Sequence, residues 1–139
     1  MITFRVDAVP VAQPRQRVAL VRGRARQYLP TQHPVNAYKA ACAIAASQLE
    51  QKVVLEGPIA LRAVFVLPRP MSQKPKVGPR LPHAKKPDGD NLAKSTLDAL
   101  NGILWRDDSQ ISVLTVEKFI AASDEQPHAE IFLQPLGSE

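Results

Sequence analysis

Two aspartates, Asp88 and Asp90, stand two residues apart immediately before a segment with helical periodicity. In an extended segment, residues i and i+2 point to the same side, so the two carboxylates can converge on one ligand. Like charges at that spacing repel each other, and a divalent cation between them relieves the repulsion. Considered alone, the pattern favours a simpler interpretation, in which Asp90 caps the helix and Asp88 is solvated.

A second acidic pair, Asp107 and Asp108, follows the predicted helix and opens a predicted strand. The chain must double back along that strand, or along its loop, to bring this pair to the first one. Lys94 lies four residues after Asp90, where the helix macrodipole disfavours a cation unless carboxylates or phosphate compensate it. The alternative is an ion pair between Lys94 and Asp98 on a solvated helix face.

Carboxylates, a lysine and a basic loop are together the components of metal-dependent phosphodiester hydrolysis. Aspartates hold one or two Mg²⁺ ions, the metal lowers the pKa of an attacking water, and lysine stabilises charge on the phosphate. Other chemistries lack their residues, because no serine elbow accompanies the three histidines and no Gly-rich phosphate loop occurs. One cysteine and scattered histidines nearly exclude a Cys/His zinc site, so a metal must be held by oxygen, and no organic cofactor is expected.

Three segments of this chain resemble the signature of the RusA family of Holliday junction resolvases, which are found in bacteria and their prophages. Residues 86–94 read KPDGDNLAK, residues 97–102 read LDALNG, and residues 105–111 read WRDDSQI. A looser match, PRQR at residues 14–17, is similar to the basic motif that many members carry after their first strand.

The resemblance implies a homodimeric, Mg²⁺-dependent endonuclease that nicks paired strands of four-way DNA junctions in recombination and repair. It places the catalytic, metal-binding aspartates at Asp88, Asp90 and Asp108. The essential lysine falls on Lys94, and the preference for Asp108 over Asp107 comes from the resemblance. A homodimer suits a two-fold symmetric junction, because resolution needs two matched cuts.

Basic charge is concentrated in two blocks of a chain that carries 18 Lys and Arg, 13 Asp and Glu, and a net charge of +5. Residues 1–40 hold seven basic residues and one acid, and residues 69–94 hold seven basic residues and two acids. This clustering favours nucleic-acid binding over the alternative that basic loops only keep the protein soluble. The residues expected to contact DNA are Arg15, Arg17, Lys85, Lys86 and Asn91.

Hydrophobic periodicity predicts the elements that must position these residues, in the order β-α-β-α-β-β. Strands are expected at 2–7, 59–67, 111–121 and 129–133, and helices at 36–52 and 91–102. The first helix is expected to leave Lys39 to solvent, and its apolar face is expected to comprise Ala37, Ala40, Ala41, Ile44, Ala45 and Leu49. In the second helix Asp90 is the expected N-cap. The order predicts a single α+β domain over residues 1–139, with a mixed sheet covered by two helices.

Two segments have less regular patterns. The pieces 18–22 and 25–29, separated by Gly23, predict either a short hairpin or a loop. Residues 68–87 contain six prolines and six basic residues, so a mobile cationic loop is expected there. No apolar stretch approaches the roughly 18 residues of a membrane-spanning helix, and the first residues lack the apolar core of a signal peptide. We therefore expect a soluble, cytoplasmic protein without a membrane partner.

Three functions remain open on this basis. The favoured one is a junction-resolving endonuclease. The second is a metal-dependent nuclease of the same fold that acts on other branched or flap DNA. The third is a non-enzymatic DNA-binding module with structural acids, which is disfavoured because carboxylates that face a polyanion weaken binding.

Overall fold

The computed structural model describes residues 1–14, 17–21, 23–28, 33–50, 54–70 and 78–137. They form a single α+β domain with a five-stranded mixed sheet, a separate hairpin and two helices, which confirms the predicted fold class. The strands are β1 (Ile2–Val6), β2 (Arg17–Val21), β3 (Arg24–Tyr28), β4 (Ile59–Leu67), β5 (Leu81–Pro82), β6 (Ile111–Ile120) and β7 (His128–Pro135). The helices are α1 (Pro34–Ser47) and α2 (Gly89–Leu100).

The central strand of the sheet is β4, which has the nearly continuous apolar sequence of a buried strand. The strand order is β1-β7-β4-β6-β5, and β4 pairs in parallel with β6 while the other neighbours are antiparallel. Parallel neighbours need a crossover connection, which here runs over residues 68–110 and contains α2.

Both helices pack on the same face of the sheet. Tyr38 and Cys42 of α1 and Leu92 and Leu100 of α2 belong to one buried cluster with Phe65 of β4. The opposite face of the sheet carries a smaller cluster of Val64, Val66 and Ala121, with Phe119 and Phe132 packed against it. In the part of the chain that the structure describes, no helix is long and apolar enough to cross a membrane.

Helix α1 differs from its prediction in its bounds and in its buried face. It begins two residues early because Pro34 occupies its first turn and His33 Nδ1 accepts a hydrogen bond from the Val35 N–H at 3.0 Å. The buried positions are Val35, Tyr38, Cys42 and Ala46, whereas Ile44 is 57% exposed. The predicted apolar face was right at Ala41, Ala45 and Leu49, which pack against the core, and wrong at the exposed Ala37, Ala40 and Ile44. Alanine on every side of the helix leaves its periodicity undecided.

The two irregular segments contain more strand than expected. The hairpin alternative is the one formed, since β2 pairs antiparallel with β3 and Gly23 takes φ +76 in the turn. In the proline-rich segment, β5 pairs with the end of β6, so the expectation of no regular structure was wrong there. Pro82 is tolerated because β5 is an edge strand. Residues 71–77 of the expected mobile loop lie outside the described residues.

Candidate active site at the start of helix α2

The exposed carboxylates of Asp88 and Asp90 lie at the start of α2. The helix begins at Gly89, so the N-cap is Asp88 and the prediction of Asp90 as the cap was wrong by two residues. Asp88 makes no side-chain capping bond, and neither carboxylate forms a hydrogen bond or ion pair within the described residues. Both groups are therefore available to a ligand, and the helix macrodipole stabilises their negative charge.

The segment that leads into this pair is attached to the sheet by Lys118 of β6. Its ammonium donates hydrogen bonds to the carbonyl oxygens of Lys85, at 2.6 Å, and Pro87, at 2.8 Å. The His83 N–H donates to the Lys118 carbonyl at 3.1 Å, so the same strand residue binds the segment twice. Lys118 is a positioning residue that the sequence prediction missed. The sequence gives one signal for it. Lys118 lies on the same face of the strand as Val116 and Ile120, where an apolar residue is expected.

Gly89 allows α2 to start close to β6. A Cβ atom at this position would lie 3.3 Å from Cγ1 of Val116, which is closer than ordinary side-chain contact. The glycine between the two aspartates therefore has a packing role at the sheet, and it fixes the start of α2 near the carboxyl-terminal half of β6.

The second acidic pair lies at the other end of α2. Asp108–Gln110 form a turn of 3-10 helix before β6, so the prediction that this pair opens the strand was wrong. Asp107 caps that turn, accepting from the Ser109 N–H at 2.9 Å. Hydrogen bonding from the Ser109 side chain, and next from its backbone N–H, lowers the pKa of the Asp107 carboxyl group. Asp108 accepts from the Trp105 indole N–H at 2.8 Å, which orients its carboxylate. Each carboxylate of the pair therefore accepts a hydrogen bond within its own segment, and the choice of Asp108 over Asp107 rests on the family resemblance.

Asp88, Asp90 and Asp108 do not converge within one chain. Lys118, which binds the Pro87 carbonyl, and Ile111, which follows the 3-10 turn, are separated along β6 by roughly 23 Å at 3.3 Å per residue. A different set of side chains, Glu125, His128 and Glu130, has three possible ligand atoms within 4.8 Å of one another. Among the described His, Cys, Asp and Glu residues, this is the group that could hold a metal ion. One chain thus provides two of the predicted metal ligands in one place and the third in another.

Lys94 is exposed on the second turn of α2, and the predicted alternative of an ion pair with Asp98 is not formed. Asp98 instead faces α1, where Lys39 Nζ lies 3.9 Å from its Oδ2. Lys39 was expected in solvent and is half-buried. Within the described residues Lys94 has no ion-pair partner, so its ammonium is available to a group bound at the start of the helix.

Three of the residues expected to contact DNA, Lys85, Lys86 and Asn91, lie at the same end of α2. Lys85 and Lys86 are exposed and directly precede Asp88. Asn91 is half-buried, and its carbonyl accepts from the Gln13 N–H at 3.0 Å, which brings the start of the PRQR motif to α2. Arg17 is the first residue of β2, and Arg15 lies outside the described residues.

The cluster of Glu125, His128 and Glu130 already contains a cation. Arg80 forms ion pairs with Glu125 and, at 3.1 Å, with Glu130, and His128 Nε2 lies 2.6 Å from the Glu130 carboxylate. A metal there would compete with the guanidinium, and an imidazole ligand suits transition metals better than Mg²⁺. This cluster therefore attaches the residues before β5 to the sheet and does not match the predicted oxygen-only site.

The comparisons with known proteins agree with the resemblance seen in the sequence. Residues 7–134 match the family model described as "Endodeoxyribonuclease RusA". The chain is also 31% identical over 145 residues to the uncharacterized protein YqaN of Bacillus subtilis (strain 168), an alignment that covers 99% of this chain and 98% of that protein.

The Arg80 cluster predicts a pH dependence of stability. The hydrogen bond from Arg80 lowers the pKa of Glu125. Partial burial opposes this effect at Glu130, but the bonds from His128 and Arg80 still lower its pKa. The stabilisation is therefore present above the ordinary glutamate pKa of about 4.3 and is lost as the pH falls through the lowered folded-state values.

We expect Arg80→Met to lower the melting temperature by about 3 °C at pH 7, corresponding to about 1 kcal/mol, and to have little effect near pH 3. Arg106→Met is the control, because its ion pair with Glu56 is highly exposed and contributes little. Thermal unfolding followed by circular dichroism at both pH values measures the difference. An Arg80→Met effect of equal size at both pH values would show that the ion pairs do not stabilise the fold.

Proposed function

Because the chain belongs to the RusA family of endodeoxyribonucleases, we propose that it is a homodimeric, Mg²⁺-dependent enzyme that resolves Holliday junctions by paired nicks. The supporting observation is the exposed Asp88 and Asp90 pair, which has no partner within the described residues and lies beside Lys85 and Lys86. A DNA-binding module gains nothing from such carboxylates, because they repel phosphate. The corresponding cellular role is the recombination and repair of chromosomal or prophage DNA in the cytoplasm.

The carboxylates at the start of α2 have the ligand chemistry that Mg²⁺ prefers. Mg²⁺ binds oxygen, keeps several of its waters, and is commonly held by one or two carboxylates together with substrate phosphate. Asp88 and Asp90 would hold the ion. When bound, Mg²⁺ lowers the pKa of an attacking water and stabilises negative charge on the phosphate.

The basic residues of this chain bind and orient the DNA in this proposal. Lys85 and Lys86 contact the DNA backbone next to the carboxylate pair, since phosphate contacts fix the register of a protein on DNA. Lys94 extends from the same end of the helix and donates to a phosphate oxygen as its negative charge develops. Lys118 acts on these groups indirectly, because it holds the carbonyl oxygens of Lys85 and Pro87.

A synthetic four-way junction, incubated with and without Mg²⁺, tests the proposed function. We expect paired, symmetric nicks in the junction when Mg²⁺ is present and none when it is chelated. A 5′ flap and a linear duplex of the same sequence serve as competitors. Equal cleavage of flap and junction would support the broader branched-DNA nuclease, and binding without cleavage under any metal condition would support the non-enzymatic module.

Asp88→Asn and Asp90→Asn are each expected to abolish Mg²⁺-dependent cleavage while junction binding persists or tightens. A neutral amide loses affinity for the metal and also removes repulsion of phosphate. Asp98→Asn is the matched control, because this aspartate lies on the same helix and faces Lys39. Single-turnover cleavage and gel-shift titration measure the two effects. A rate near that of the wild type for either Asp88→Asn or Asp90→Asn would remove that residue from the metal site.

Lys94→Ala is expected to slow single-turnover cleavage in saturating Mg²⁺ by at least about 100-fold, with folding and DNA binding retained. The physical reason is the loss of a cation that stabilises charge on the phosphate. Lys94→Arg should not restore the full rate, because a planar guanidinium does not replace a compact ammonium. If Asp98→Ala reproduced the whole defect, Lys94 would act through Asp98 rather than at the phosphate.

Replacing both Lys85 and Lys86 with alanine is expected to weaken junction binding and flatten its salt dependence. Each lost phosphate contact lowers the slope of log K against log salt concentration by about 0.9. The control is the double variant Arg5→Ala with Arg62→Ala, which removes the same charge from positions engaged in ion pairs with Asp7 and Glu117. Binding isotherms between about 50 and 200 mM salt give the slopes. Equal slopes in the two double variants would assign Lys85 and Lys86 to solubility alone.

A further inference from the structure

The side-chain amide of Gln110 forms four hydrogen bonds, all of them with the backbone. Its Nε2 atom donates to the carbonyl oxygens of Leu55 and Gly57, both at 3.0 Å. Its Oε1 atom accepts from the N–H groups of Arg106, at 2.8 Å, and Asp107, at 3.1 Å. A primary amide has two N–H donors and two acceptor lone pairs, so the hydrogen-bonding capacity of this side chain is fully used.

The bonds from Nε2 connect Gln110 to the residues before β4, which lie 53 and 55 positions away in the sequence. The strands that follow these two segments, β4 and β6, are parallel neighbours, and Ile59 pairs with Ile111 at their start. The Leu55 N–H also donates to the Leu104 carbonyl at 2.7 Å. The side chain of Gln110 therefore attaches the residues before β6 to the residues before β4.

The bonds to Oε1 hold the acidic turn, which we define as residues 107–110. By accepting from the Asp107 N–H, the Gln110 side chain closes a capping box with Asp107, whose own side chain caps the turn. Asp108 lies between the two residues of this box. The position of its backbone therefore depends on the bonds that Gln110 makes.

The carboxylate of Asp108 is held by a second contact. The Trp105 indole N–H donates to its Oδ1 at 2.8 Å, and Trp105 is fully buried. Oδ2 of the same half-buried carboxylate has no hydrogen-bond or ion-pair partner within the described residues. One oxygen is thus oriented by the indole, and the other is available to a ligand.

We propose that Gln110 is a positioning residue for the cleavage reaction, which keeps the acidic turn where Trp105 can orient the Asp108 carboxylate towards the metal. The inference rests on the proposed function, because it assumes that Asp108 is a metal ligand. Replacing a residue that holds a metal ligand in place commonly changes metal affinity or activity by about 10- to 100-fold. In a role limited to stability, loss of Gln110 would lower the melting temperature and leave the metal dependence unchanged.

Two substitutions of Gln110 remove different parts of this network. Gln110→Met keeps a similar length but offers no N–H group and only a weakly accepting sulfur, so all four bonds are lost. Gln110→Glu can still accept from the N–H groups of Arg106 and Asp107. Its carboxylate has no N–H to donate, so it would face the carbonyl oxygens of Leu55 and Gly57 without a bond.

The Mg²⁺ dependence of cleavage separates positioning from stability. Single-turnover cleavage of the four-way junction by Gln110→Met is measured over a range of Mg²⁺ concentrations, at a temperature where the variant is folded. We expect the concentration for half-maximal cleavage to rise by about 10-fold or more, with junction binding in the absence of Mg²⁺ unchanged. A wild-type Mg²⁺ dependence for Gln110→Met would overturn the proposal.

Tyr38→Phe is the control for loss of stability. It removes the buried hydrogen bond of 2.8 Å between Tyr38 and Thr96, which joins α1 to α2 away from the acidic turn. We expect this variant to have a lower melting temperature and a wild-type Mg²⁺ dependence. An equal rise in the half-maximal Mg²⁺ concentration in Tyr38→Phe and Gln110→Met would assign the effect to stability and overturn the proposal.

Gln110→Glu decides the question if Gln110→Met does not fold. Its added negative charge would by itself attract Mg²⁺, so a rise in the half-maximal concentration is expected from displacement of Asp108 and not from charge. An unchanged or lower half-maximal concentration in Gln110→Glu would overturn the proposal.

The tryptophan next to Asp108 provides a measurement that does not depend on cleavage. Trp105 is the one tryptophan of the chain, so its indole N–H gives one resonance in a ¹H–¹⁵N spectrum. Asp108→Asn defines how this resonance moves when the carboxylate acceptor is lost. We expect Gln110→Met to move it in the same direction and Tyr38→Phe to leave it in place.

An indole resonance that does not move in Gln110→Met would overturn the proposal. The spectrum also separates this inference from the proposed function. If wild-type protein fails to nick the junction, the proposed function is wrong, and the resonance of Trp105 still decides whether Gln110 positions Asp108.

Discussion

The parallel pairing of β4 and β6 is the constraint on which the rest of the structure depends. Parallel neighbours cannot be joined by a tight turn, so the chain must cross over the sheet before β6 begins. The crossover carries α2, whose 12 residues span roughly 18 Å in the direction opposite to the strands. Asp88 therefore lies where β6 ends, and Asp108 lies where β6 begins.

The same constraint determines the electrostatics of the site. A helix that starts at the carboxyl ends of two parallel strands directs its free N–H groups towards that edge, which favours anions there. Two aspartates occupy this position, and a DNA phosphate would be repelled by them without nearby cations. Lys85 and Lys86 precede the pair, Lys94 follows it, and Lys118 holds the intervening backbone through the carbonyl oxygens of Lys85 and Pro87.

Local sequence patterns predicted the elements that bury apolar residues regularly. The apolar run of β4 and the alternation in β1 and β6 identified these strands. Burial on both faces of a strand leaves a continuous apolar run, and burial on one face leaves alternating apolar and polar residues. The face of α1 was predictable only in part, since alanine is accepted on any side and the contact of Tyr38 with Thr96 of α2 is a tertiary feature.

The candidate site was predictable in its residue types but not in its arrangement. The i, i+2 spacing located Asp88 and Asp90, and the family resemblance added Asp108. The contacts of Lys118 depend on residues more than 30 positions away, so no local pattern indicates them. Asp108 is separated from Asp88 and Asp90 because the crossover helix α2 runs in the direction opposite to β6. No short segment of the sequence indicates that direction.

The location of a bound metal ion tests the arrangement of the site most directly. Mn²⁺ binds the same oxygen ligands as Mg²⁺ and can be located in crystals of the full chain by its anomalous scattering. The proposed function predicts a peak coordinated by the carboxylates of Asp88 and Asp90. A peak at Glu125, His128 and Glu130, with none at Asp88 and Asp90, would contradict the assignment of the metal site to the start of α2.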